Sequence, residues 1–246
     1  MSRIQIRVIA LATTSGILIS IVAALMLPLG AITLFRARRL YARLAAVLCR
    51  AILALYGVRI RLHPDRGFPR TQTVYISNHT STLDLFILVA LGLPNCRFFL
   101  SGSLRRLVPL GIISWMMGTF FTVPQTFPEE RRRIFTRAGE TLTRTRESVY
   151  LSPEGGRITD GTIGHFNKGA FHLATVLRAP IVPMYFHIPP AMDPGRGFDA
   201  RPGTVDIYVL PPIHTTGWSE ADVVENTERV RAVFVRTHLE RHRRCA

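Results

Sequence analysis

The stretch Ser77-Asn78-His79-Thr80-Ser81-Thr82-Leu83-Asp84 lies between an apolar, strand-like run at residues 74–76 and a helix-like run at residues 85–91. On one continuous α-helix His79 and Asp84 would point about 140° apart, because each residue turns by about 100°. If the strand ends at Ser77, and Ser81 or Thr82 caps the helix, Asp84 falls in the first helical turn and can reach back to the imidazole. The stretch therefore predicts a strand, a turn and a helix in succession.

A histidine and an aspartate placed in this way have two interpretations. As a catalytic dyad, Asp84 would bond one ring nitrogen of His79 and fix its tautomer, leaving the other nitrogen to take a proton from a hydroxyl. As plain structure, His79 would sit in a polar turn and Asp84 would be an acid favoured by the dipole at the start of a helix. These eight residues alone leave both interpretations open.

The composition indicates an anionic partner. The 246 residues carry 31 Lys and Arg against 16 Asp and Glu, a formal net charge of +15. Nucleic acid and anionic lipid are the usual partners of such a charge, and the 48% hydrophobic content favours lipid. Cys49, Cys96 and Cys245 have no metal-ligand or CxxC spacing, so we predict neither a disulfide framework nor a metal site. The length allows one sizeable α/β domain plus an appendage.

The amino-terminal segment is apolar enough to enter a membrane. Residues 8–35 contain no charged residue, and as a helix they would run about 42 Å, longer than a hydrocarbon core of about 30 Å. Pro28 and Gly30 can kink or break such a helix, so a tilted span and a re-entrant hairpin are both open. A cleaved signal peptide is disfavoured, because the apolar run is too long for a usual signal-peptide core.

Arginines dominate the residues that follow. Arg3 and Arg7 precede the apolar run, whereas five arginines come directly after it: Arg36, Arg38, Arg39, Arg43 and Arg50. This bias predicts that the following domain lies on the cytoplasmic face of a membrane. Apolar residues recur between these arginines at helical spacing, which predicts an amphipathic helix lying on anionic head groups or packed on the domain. We therefore assign residues 1–55 to membrane-anchoring and interfacial helices and residues 56–246 to a globular domain.

Residues 56–246 alternate short β-rich runs with helical stretches, which is typical of an α/β domain. We predict strands near residues 58–63, 73–77, 97–100, 119–123, 148–152, 181–186 and 204–210. We predict helices near residues 82–91, 104–117, 128–146, 168–177 and 219–241.

Three further blocks fall on these elements. Leu151-Ser152-Pro153-Glu154-Gly155-Gly156-Arg157 follows a strand; its glycines let the backbone approach a ligand, and its Glu and Arg offer an acceptor and a fork for an anion. Taken alone, this block is more typical of a turn than of a site. Lys168-Gly169-Ala170-Phe171 opens a helix whose positive end favours anions. Val182-Pro183-Met184 places a proline inside a strand, which predicts an edge strand or a bulge.

In this order the blocks resemble the lysophospholipid and glycerophosphate acyltransferase family, of the bacterial lysophosphatidic acid acyltransferase type. Its first motif, an Asn-led His and Asp separated by four residues, is matched by Asn78, His79 and Asp84. Its third, commonly Phe-Pro-Glu-Gly-Thr-Arg, is matched by Pro153, Glu154, Gly155 and Arg157, with Ser152 and Gly156 as replacements. The family's Phe-x-Lys-Gly-Ala-Phe stretch and fourth motif are matched by Phe166, Lys168 to Phe171, Val182 and Pro183. The resemblance covers about residues 56–215 and implies a mixed α/β sheet flanked by helices, preceded here by the membrane-associated segment.

The second motif departs from the family pattern. The pattern Gly-x-x-Phe-x-x-Arg aligns with Gly118 to Pro124, so proline replaces an arginine that the family is thought to use on the acceptor phosphate. Arg131, Arg132 and Arg133 follow shortly afterwards and are candidate phosphate contacts in its place. A run of three charges is more often a solvated helix face, however. The alternative is an acceptor with a different head group, such as an aminolipid or another hydroxylated lipid.

The resemblance implies acyl transfer to a membrane lipid. His79 would be the general base on a free hydroxyl of a lysolipid such as lysophosphatidic acid, oriented by Asp84, and the oxygen would attack an acyl thioester. Coenzyme A or acyl carrier protein would bring the acyl group as co-substrate, with no cofactor and no metal. The expected acceptor-binding residues are Glu154, Gly155, Gly156, Arg157 and Lys168. Val182 and Pro183 would contact acyl chains or be structural.

Three other functions explain parts of the sequence. A serine hydrolase acting on lipid esters would share the His and Asp, but no Gly-x-Ser-x-Gly nucleophile motif occurs. A non-catalytic, basic membrane-binding protein explains the charge and the apolar segment but not the ordered motifs. A nucleic-acid binder lacks a recognised binding motif and would leave residues 8–35 unexplained. The sequence therefore favours an acyltransferase with no nucleic-acid partner.

Overall fold

One mixed β-sheet with helices on both faces forms the core of the protein, as the sequence predicts. The computed structural model describes residues 2–64, 67–193, 195, 197 and 199–245. Its helices are α1 (Arg3–Ile32), α2 (Arg38–Leu55), α3 (Leu83–Ala90), α4 (Val108–Met116), α5 (Pro128–Thr145), α6 (Gly169–Leu177) and α7 (Val223–Cys245). Its strands are β1 (Val58–His63), β2 (Val74–Ser77), β3 (Cys96–Ser101), β4 (Phe120–Thr122), β5 (Ser148–Leu151), β6 (Ile181–His187) and β7 (Gly203–Val209).

The strand order places the histidine motif near the middle of the sheet. The order is β1-β7-β6-β2-β5-β3-β4, and all neighbours are parallel except β6 and β7. Every residue of β2 and β5 is buried, as expected for parallel strands covered on both faces. Because β2 and β5 are parallel neighbours, the loops that follow them, which carry His79 and Glu154, leave the same edge of the sheet.

Two apolar cores lie on opposite faces of this sheet. One joins β-strand side chains to α1, α2, α3 and α4, and the other joins them to α5, α6 and α7. The first core contains Ala23 and Met26 of α1 together with Phe186 and Val205 of the sheet. Helices α1 and α2, which the sequence suggested as a separate segment, therefore share a core with the globular domain.

Two predicted helices begin later than expected. A 3₁₀ turn occupies Gly102–Arg106, and α4 begins only at Val108, because Pro109 is tolerated in the first turn of a helix but not further inside. Another 3₁₀ turn, Glu220–Asp222, precedes α7, which then runs on to Cys245. The remaining predicted boundaries agree with the structure to within one residue.

Pro183 lies in an interior strand, so the predicted edge position is wrong. Strand β6 pairs with β2 on one side and with β7 on the other. On the β7 side Ile181 pairs with Ile213 and Met184 with Val209, so three steps along β6 match four along the opposite chain. This extra residue is a bulge, the other predicted alternative, and it interrupts the ladder beside a residue that has no N–H to donate.

Helix α1 is unbroken and packs against the domain along nearly its whole length. It continues through Pro28 to Ile32, so a hairpin that reverses at Pro28 or Gly30 does not form. Its buried and half-buried positions form a stripe of about 33 Å at 1.5 Å per residue: Val8, Leu11, Ala12, Ser15, Leu18, Ile19, Val22, Ala23, Met26, Leu29 and Gly30. The opposite face is apolar and exposed: Ile4, Ile6, Ile9, Ile17, Ile21, Leu25, Leu27 and Ile32. By length and composition alone, Ile4–Ile32 could also cross a bilayer.

A buried carboxylate fixes α2 to the sheet. Glu147, just before β5, accepts hydrogen bonds from Arg38 at the start of α2 and from Arg97 in β3. All three side chains are at most one fifth exposed. Burial by itself would raise the pKa of Glu147, but the hydrogen bond from Arg97 and the charges of both arginines lower this pKa below its usual value. Glu147 is therefore ionised at neutral pH and joins two positive side chains.

We expect Glu147→Gln to lower the free energy of unfolding by about 3 to 5 kcal/mol at neutral pH, because two largely buried guanidinium groups lose their counter-charge. The pKa of Glu147 is depressed in the native protein. Its stabilising effect is therefore present above the pKa in the unfolded chain and is lost as the pH falls through the lower native pKa. Denaturant unfolding in detergent, at neutral pH and at about pH 3, measures both effects. Glu140→Gln, an exposed change on α5, is the control. If the difference in unfolding free energy between wild type and Glu147→Gln were as large in acid as at neutral pH, this account would be contradicted.

Candidate active site

The turn after β2 brings His79 and Asp84 into contact. Nδ1 of His79 lies 2.7 Å from Oδ2 of Asp84. The same oxygen accepts the backbone N–H groups of Thr80 at 2.7 Å and Ser81 at 2.9 Å, so the turn folds around the carboxylate. The hydroxyl of Ser81 accepts the N–H of Leu83, the first residue of α3, at 2.8 Å, and Thr82 occupies the N-cap position without a side-chain cap bond. The Asp84 side chain is 5% exposed and that of His79 is 31% exposed.

This contact sets the proton chemistry of the imidazole. Because a carboxylate accepts hydrogen bonds, Nδ1 of His79 carries the proton and Nε2 has the free lone pair. Nε2 has no hydrogen-bond partner among the residues that the structure describes. The pair can therefore take a proton from a hydroxyl at Nε2 while Asp84 stabilises the resulting imidazolium.

Asn78 fixes the end of β2 against β6. Its side-chain amide donates to the carbonyl of Phe186 at 3.0 Å, and its oxygen accepts the N–H of Phe186 at 2.7 Å. Asn78 is 1% exposed, so both bonds are shielded from water. The amide continues the pairing of β2 with β6 after the strand has turned away, and so fixes the starting point of the His79 turn.

Glu154, which the sequence placed among the acceptor-binding residues, is buried and bonds the backbone beside His79. One oxygen accepts the N–H of His79 at 2.6 Å, and the other accepts the N–H of Gly164 at 2.8 Å. Burial raises the pKa of Glu154, and these two backbone bonds oppose that rise. The carbonyl of His79 accepts the N–H of Ile158 at 2.8 Å. The loop after β5 therefore holds the backbone of His79 on both sides.

A cavity of about 590 Å³ opens beside His79. Its polar lining includes His79, Thr82, Gln125, Arg131, Ser152 and Arg157, and its apolar lining includes Leu85, Leu88, Phe99, Leu100, Leu104 and Phe135. A base, two guanidinium groups and an apolar wall suit an amphiphilic molecule with an anionic end. Among the described residues, no group of three His, Cys, Asp or Glu side chains is arranged to hold a metal ion.

Of the three consecutive arginines, only Arg131 reaches this cavity. Its guanidinium donates to the carbonyl of Val123 at 2.9 Å, next to Pro124, where the family pattern has arginine. Arg132 and Arg133 are exposed and lie outside the cavity, because consecutive helical residues point about 100° apart. The sequence alone does not indicate which of the three arginines faces a ligand. The position of α5 places Arg131 at the cavity.

Arg157 and Gly155, two of the expected acceptor-binding residues, lie at the cavity, and their contact with an acceptor stays a prediction. Both line the cavity, and Arg157 donates a hydrogen bond to the hydroxyl of Thr82 at the start of α3. Gly155 has φ +69°, and a Cβ there would lie 2.8 Å from Nδ2 of Asn167, so this position requires glycine.

Four other expected contacts lie outside the cavity. Lys168 is exposed just before α6, and Gly156 is exposed at the outside of its loop. Val182 and Pro183 are buried in the centre of the sheet. The structure therefore gives Lys168 and Gly156 no place in this cavity, and it places Val182 and Pro183 in the packing of the sheet.

No motif in the sequence pointed to Asn167 and Gln125. The amide of Asn167 donates to the carbonyls of Pro153 at 2.9 Å and Glu154 at 3.1 Å, which braces the loop that holds His79. Gln125 donates to Oδ1 of Asn167 at 3.2 Å and lines the cavity. Both residues occupy positions that the motif patterns leave free, so only the spatial arrangement identifies them.

Comparisons with known proteins find a family model and several relatives that match this chain. The model of the acyltransferase family matches residues 59–187, just over half of the chain. The mouse 1-acyl-sn-glycerol-3-phosphate acyltransferase alpha is 29% identical over 185 residues, which cover 72% of this chain and 62% of the mouse protein. The human 1-acyl-sn-glycerol-3-phosphate acyltransferase beta is 31% identical over 175 residues, which cover 71% of this chain and 63% of the human protein. The chain thus spans less than two thirds of the length of these relatives.

A solved structure has the same fold. The crystal structure of the 1-acyl-sn-glycerophosphate (LPA) acyltransferase PlsC from Thermotoga maritima gives a TM-score of 0.74, covering 96% of this chain and 97% of that chain, at 18% sequence identity. The predicted mixed α/β fold is confirmed. Since the family match includes both the His79 turn and the Glu154 loop, the resemblance first seen in the motifs is confirmed as well, and this chain belongs to the acyltransferase family.

Proposed function

We propose that this protein transfers a fatty acyl group from an acyl thioester to the free hydroxyl of a lysophospholipid, with lysophosphatidic acid as acceptor. The observation that carries the proposal is the contact of His79 with Asp84 beside a cavity that combines guanidinium groups with apolar walls. The curated relatives are named as acyltransferases of 1-acyl-sn-glycerol-3-phosphate, which supports the same acceptor here.

His79 acts as the general base. Its Nε2 takes the proton of the acceptor hydroxyl while the oxygen attacks the thioester carbonyl carbon and forms a tetrahedral intermediate. The intermediate collapses with cleavage of the C–S bond, and the leaving thiolate takes the proton back from the imidazolium. Asp84 keeps the imidazole in the required tautomer throughout. Coenzyme A or acyl carrier protein brings the acyl group as co-substrate, and the scheme uses no resident cofactor or metal.

Arg131 and Arg157 bind the acceptor phosphate. A phosphate monoester carries close to two negative charges at neutral pH, and the cavity lining offers two guanidinium groups. Arg131 supplies the positive charge that the family pattern has at position 124, where this chain has Pro124. This charge favours lysophosphatidic acid over an acceptor with a different head group. An aminolipid, or another acceptor without a phosphate monoester, would gain less from having Arg131 in addition to Arg157.

The acyl chains extend toward the membrane-facing helices. Leu85 and Leu100 line the His79 cavity and also a small apolar seam of about 20 Å³ that is lined by α1, α2, α3 and α4. Ile19 of α1, Leu48 of α2 and Ile113 of α4 also line this seam. An acyl chain that parts these helices at the seam would reach His79 without crossing water.

The amino-terminal helices hold the enzyme in one leaflet of the membrane, on its cytoplasmic face. The packed stripe of α1 is about as long as a hydrocarbon core is thick, so α1 cannot cross a bilayer without taking the domain with it. Its outer face is apolar and exposed, which suits insertion parallel to the surface. Exposed Arg39, Arg43 and Arg50 on α2 suit anionic head groups.

For the dyad, we expect His79→Ala to lower the transfer rate by about 10² to 10⁴ while the fold is kept, since general-base assistance has this magnitude. Asp84→Asn should also be strongly impaired, through loss of tautomer control. His165→Ala, at an exposed histidine outside the cavity, is the control. One assay should follow a labelled acyl thioester into lipid product and into free fatty acid. A folded His79→Ala protein with more than about a tenth of the wild-type rate would refute the mechanism, and free fatty acid as the main product would indicate a hydrolase.

For the acceptor, Arg131→Ala should lower kcat/KM with lysophosphatidic acid by about ten- to a hundredfold, because a hydrogen bond to a charged group contributes about 1.5 to 3 kcal/mol. The loss should be smaller with a zwitterionic lysolipid. Arg132→Ala and Arg133→Ala remove the same charge outside the cavity and should keep the wild-type value. A wild type that prefers the zwitterionic or aminolipid acceptor would favour the alternative instead.

Membrane topology is testable with single cysteines. Because Cys49 and Cys96 are buried, a Cys245→Ser background allows Ser2→Cys, at the start of α1, and Thr143→Cys, on exposed α5, to be labelled separately. In sealed vesicles, a membrane-impermeant maleimide should label both positions from the same side, because α1 stays in one leaflet. Labelling of Ser2→Cys only from the opposite side would mean that α1 spans the bilayer.

A further inference from the structure

A second cavity lies at the other end of β3 from His79. It has a volume of about 840 Å³, and none of its lining residues lines the His79 cavity. Arg97, near the start of β3, belongs to the second cavity, and Ser101, at the end of the strand, belongs to the first. At about 3.3 Å per residue, these two positions are about 13 Å apart. The second cavity is therefore separate from the proposed acceptor site.

Charged side chains form half of its lining. We call it the arginine cleft, after the residues that line it: Arg36, Arg38, Arg39, Arg43 and Arg97, with Glu147. Five guanidinium groups against one carboxylate leave an excess of four positive charges around one concave surface. Such an arrangement favours the entry of an anion, since the cations otherwise repel one another.

One wall of the arginine cleft is rigid. Glu147 bonds both Arg38 and Arg97 and holds them side by side. Gly118, the glycine of the second family motif, lies against them with φ +73°. A Cβ there would lie 2.7 Å from Cδ of Arg38 and 3.1 Å from a terminal nitrogen of Arg97, so only glycine allows this approach. The motif glycine therefore belongs to the arginine cleft and not to the His79 cavity.

The other arginines are available to a ligand. Arg36 and Arg43 are exposed and have no ion-pair partner within the part of the chain that the structure describes. Arg39 donates to the amide oxygen of Asn95 at 3.0 Å, a neutral partner that leaves its charge uncompensated. Three guanidinium groups beside a fixed pair can surround a phosphate with charge-assisted hydrogen bonds.

The rim of the cleft is apolar. The rings of Phe35 and Trp115 lie 5.4 Å apart and are both exposed, at 46% and 57%, and Leu40 lies beside them at 39%. Exposed Ile32 and Leu34 continue this surface toward the outer face of α1. Aromatic side chains next to arginines are typical of the boundary between hydrocarbon and head groups. A soluble anion would use only the charges, whereas a lipid would use both the charges and the rim.

We propose that the arginine cleft binds the head group of an anionic glycerophospholipid, with its phosphate on the guanidinium groups and its acyl chains along Phe35, Leu40 and Trp115. This lipid is neither the acceptor nor the product of the proposed reaction. It occupies the junction of α1, α2 and the sheet, and so fixes the depth and orientation of the enzyme at the membrane surface.

Trp115 provides a direct reporter for this site. The chain has two tryptophans, Trp115 and Trp218, so Trp218→Phe leaves Trp115 alone. Full-length protein in uncharged detergent would be titrated with dihexanoyl phosphatidylglycerol, dihexanoyl phosphatidylcholine, inorganic phosphate and coenzyme A. We expect a saturable change in Trp115 emission at a phosphatidylglycerol concentration at least about tenfold below that required for the other three. Equal binding of phosphatidylcholine would overturn the proposal, and equal binding of phosphate or coenzyme A would assign the cleft to a soluble anion.

Matched variants separate a site from overall charge. Arg36→Gln/Arg43→Gln should weaken phosphatidylglycerol binding by at least about tenfold. Arg137→Gln/Arg144→Gln removes the same charge from exposed positions on α5 and should leave binding unchanged. An equal loss in both pairs would mean that net charge, and not the cleft, attracts the lipid. Arg131 does not line the arginine cleft, so Arg131→Ala should not alter the Trp115 titration. The lipid-binding result therefore does not depend on whether the acyl-transfer proposal is correct.

Discussion

One carboxylate oxygen, Oδ2 of Asp84, organises the turn between β2 and α3. It accepts Nδ1–H of His79 and the backbone N–H groups of Thr80 and Ser81. A chain that leaves a buried strand must satisfy its backbone donors, and here a single buried acceptor satisfies them and orients the imidazole as well. Local structure and candidate chemistry therefore depend on the same atom. The Glu154 loop completes the arrangement by holding the backbone of His79 from the other side.

The two faces of the sheet have different roles. The face covered by α5, α6 and α7 is closed by an ordinary apolar core. The face covered by α1 to α4 continues outward into exposed apolar residues of α1 and into the arginines of α2. Because α1 and α2 share a core with the sheet, the exposed apolar surface of α1 and the His79 cavity keep a fixed relation to one another, which the proposed transfer to a membrane lipid would require.

The family motifs divide into chemistry and support. His79 and Arg157 line the cavity, and Asp84 orients His79. Asn78 and Glu154 instead hold the loops that carry these residues. In the segment that contains Lys168, the buried Phe166 and Phe171 supply packing, and the lysine itself is solvent-exposed. A motif position therefore does not by itself indicate contact with substrate, because holding a loop and contacting a ligand impose equally strict demands on a side chain.

The strands, most helix boundaries and the turn that joins His79 to Asp84 could be predicted from the sequence. They follow from the alternation of apolar and polar residues and from the turn and cap residues between them, because these features depend on neighbours within a few residues. The tertiary structure alone decided that Glu154 turns inward, that Arg131 and not Arg132 or Arg133 lines the cavity, and that α1 lies along the domain. Those outcomes depend on which strands are neighbours and how helices pack across the sheet. Such long-range contacts leave no periodic signal in the local sequence.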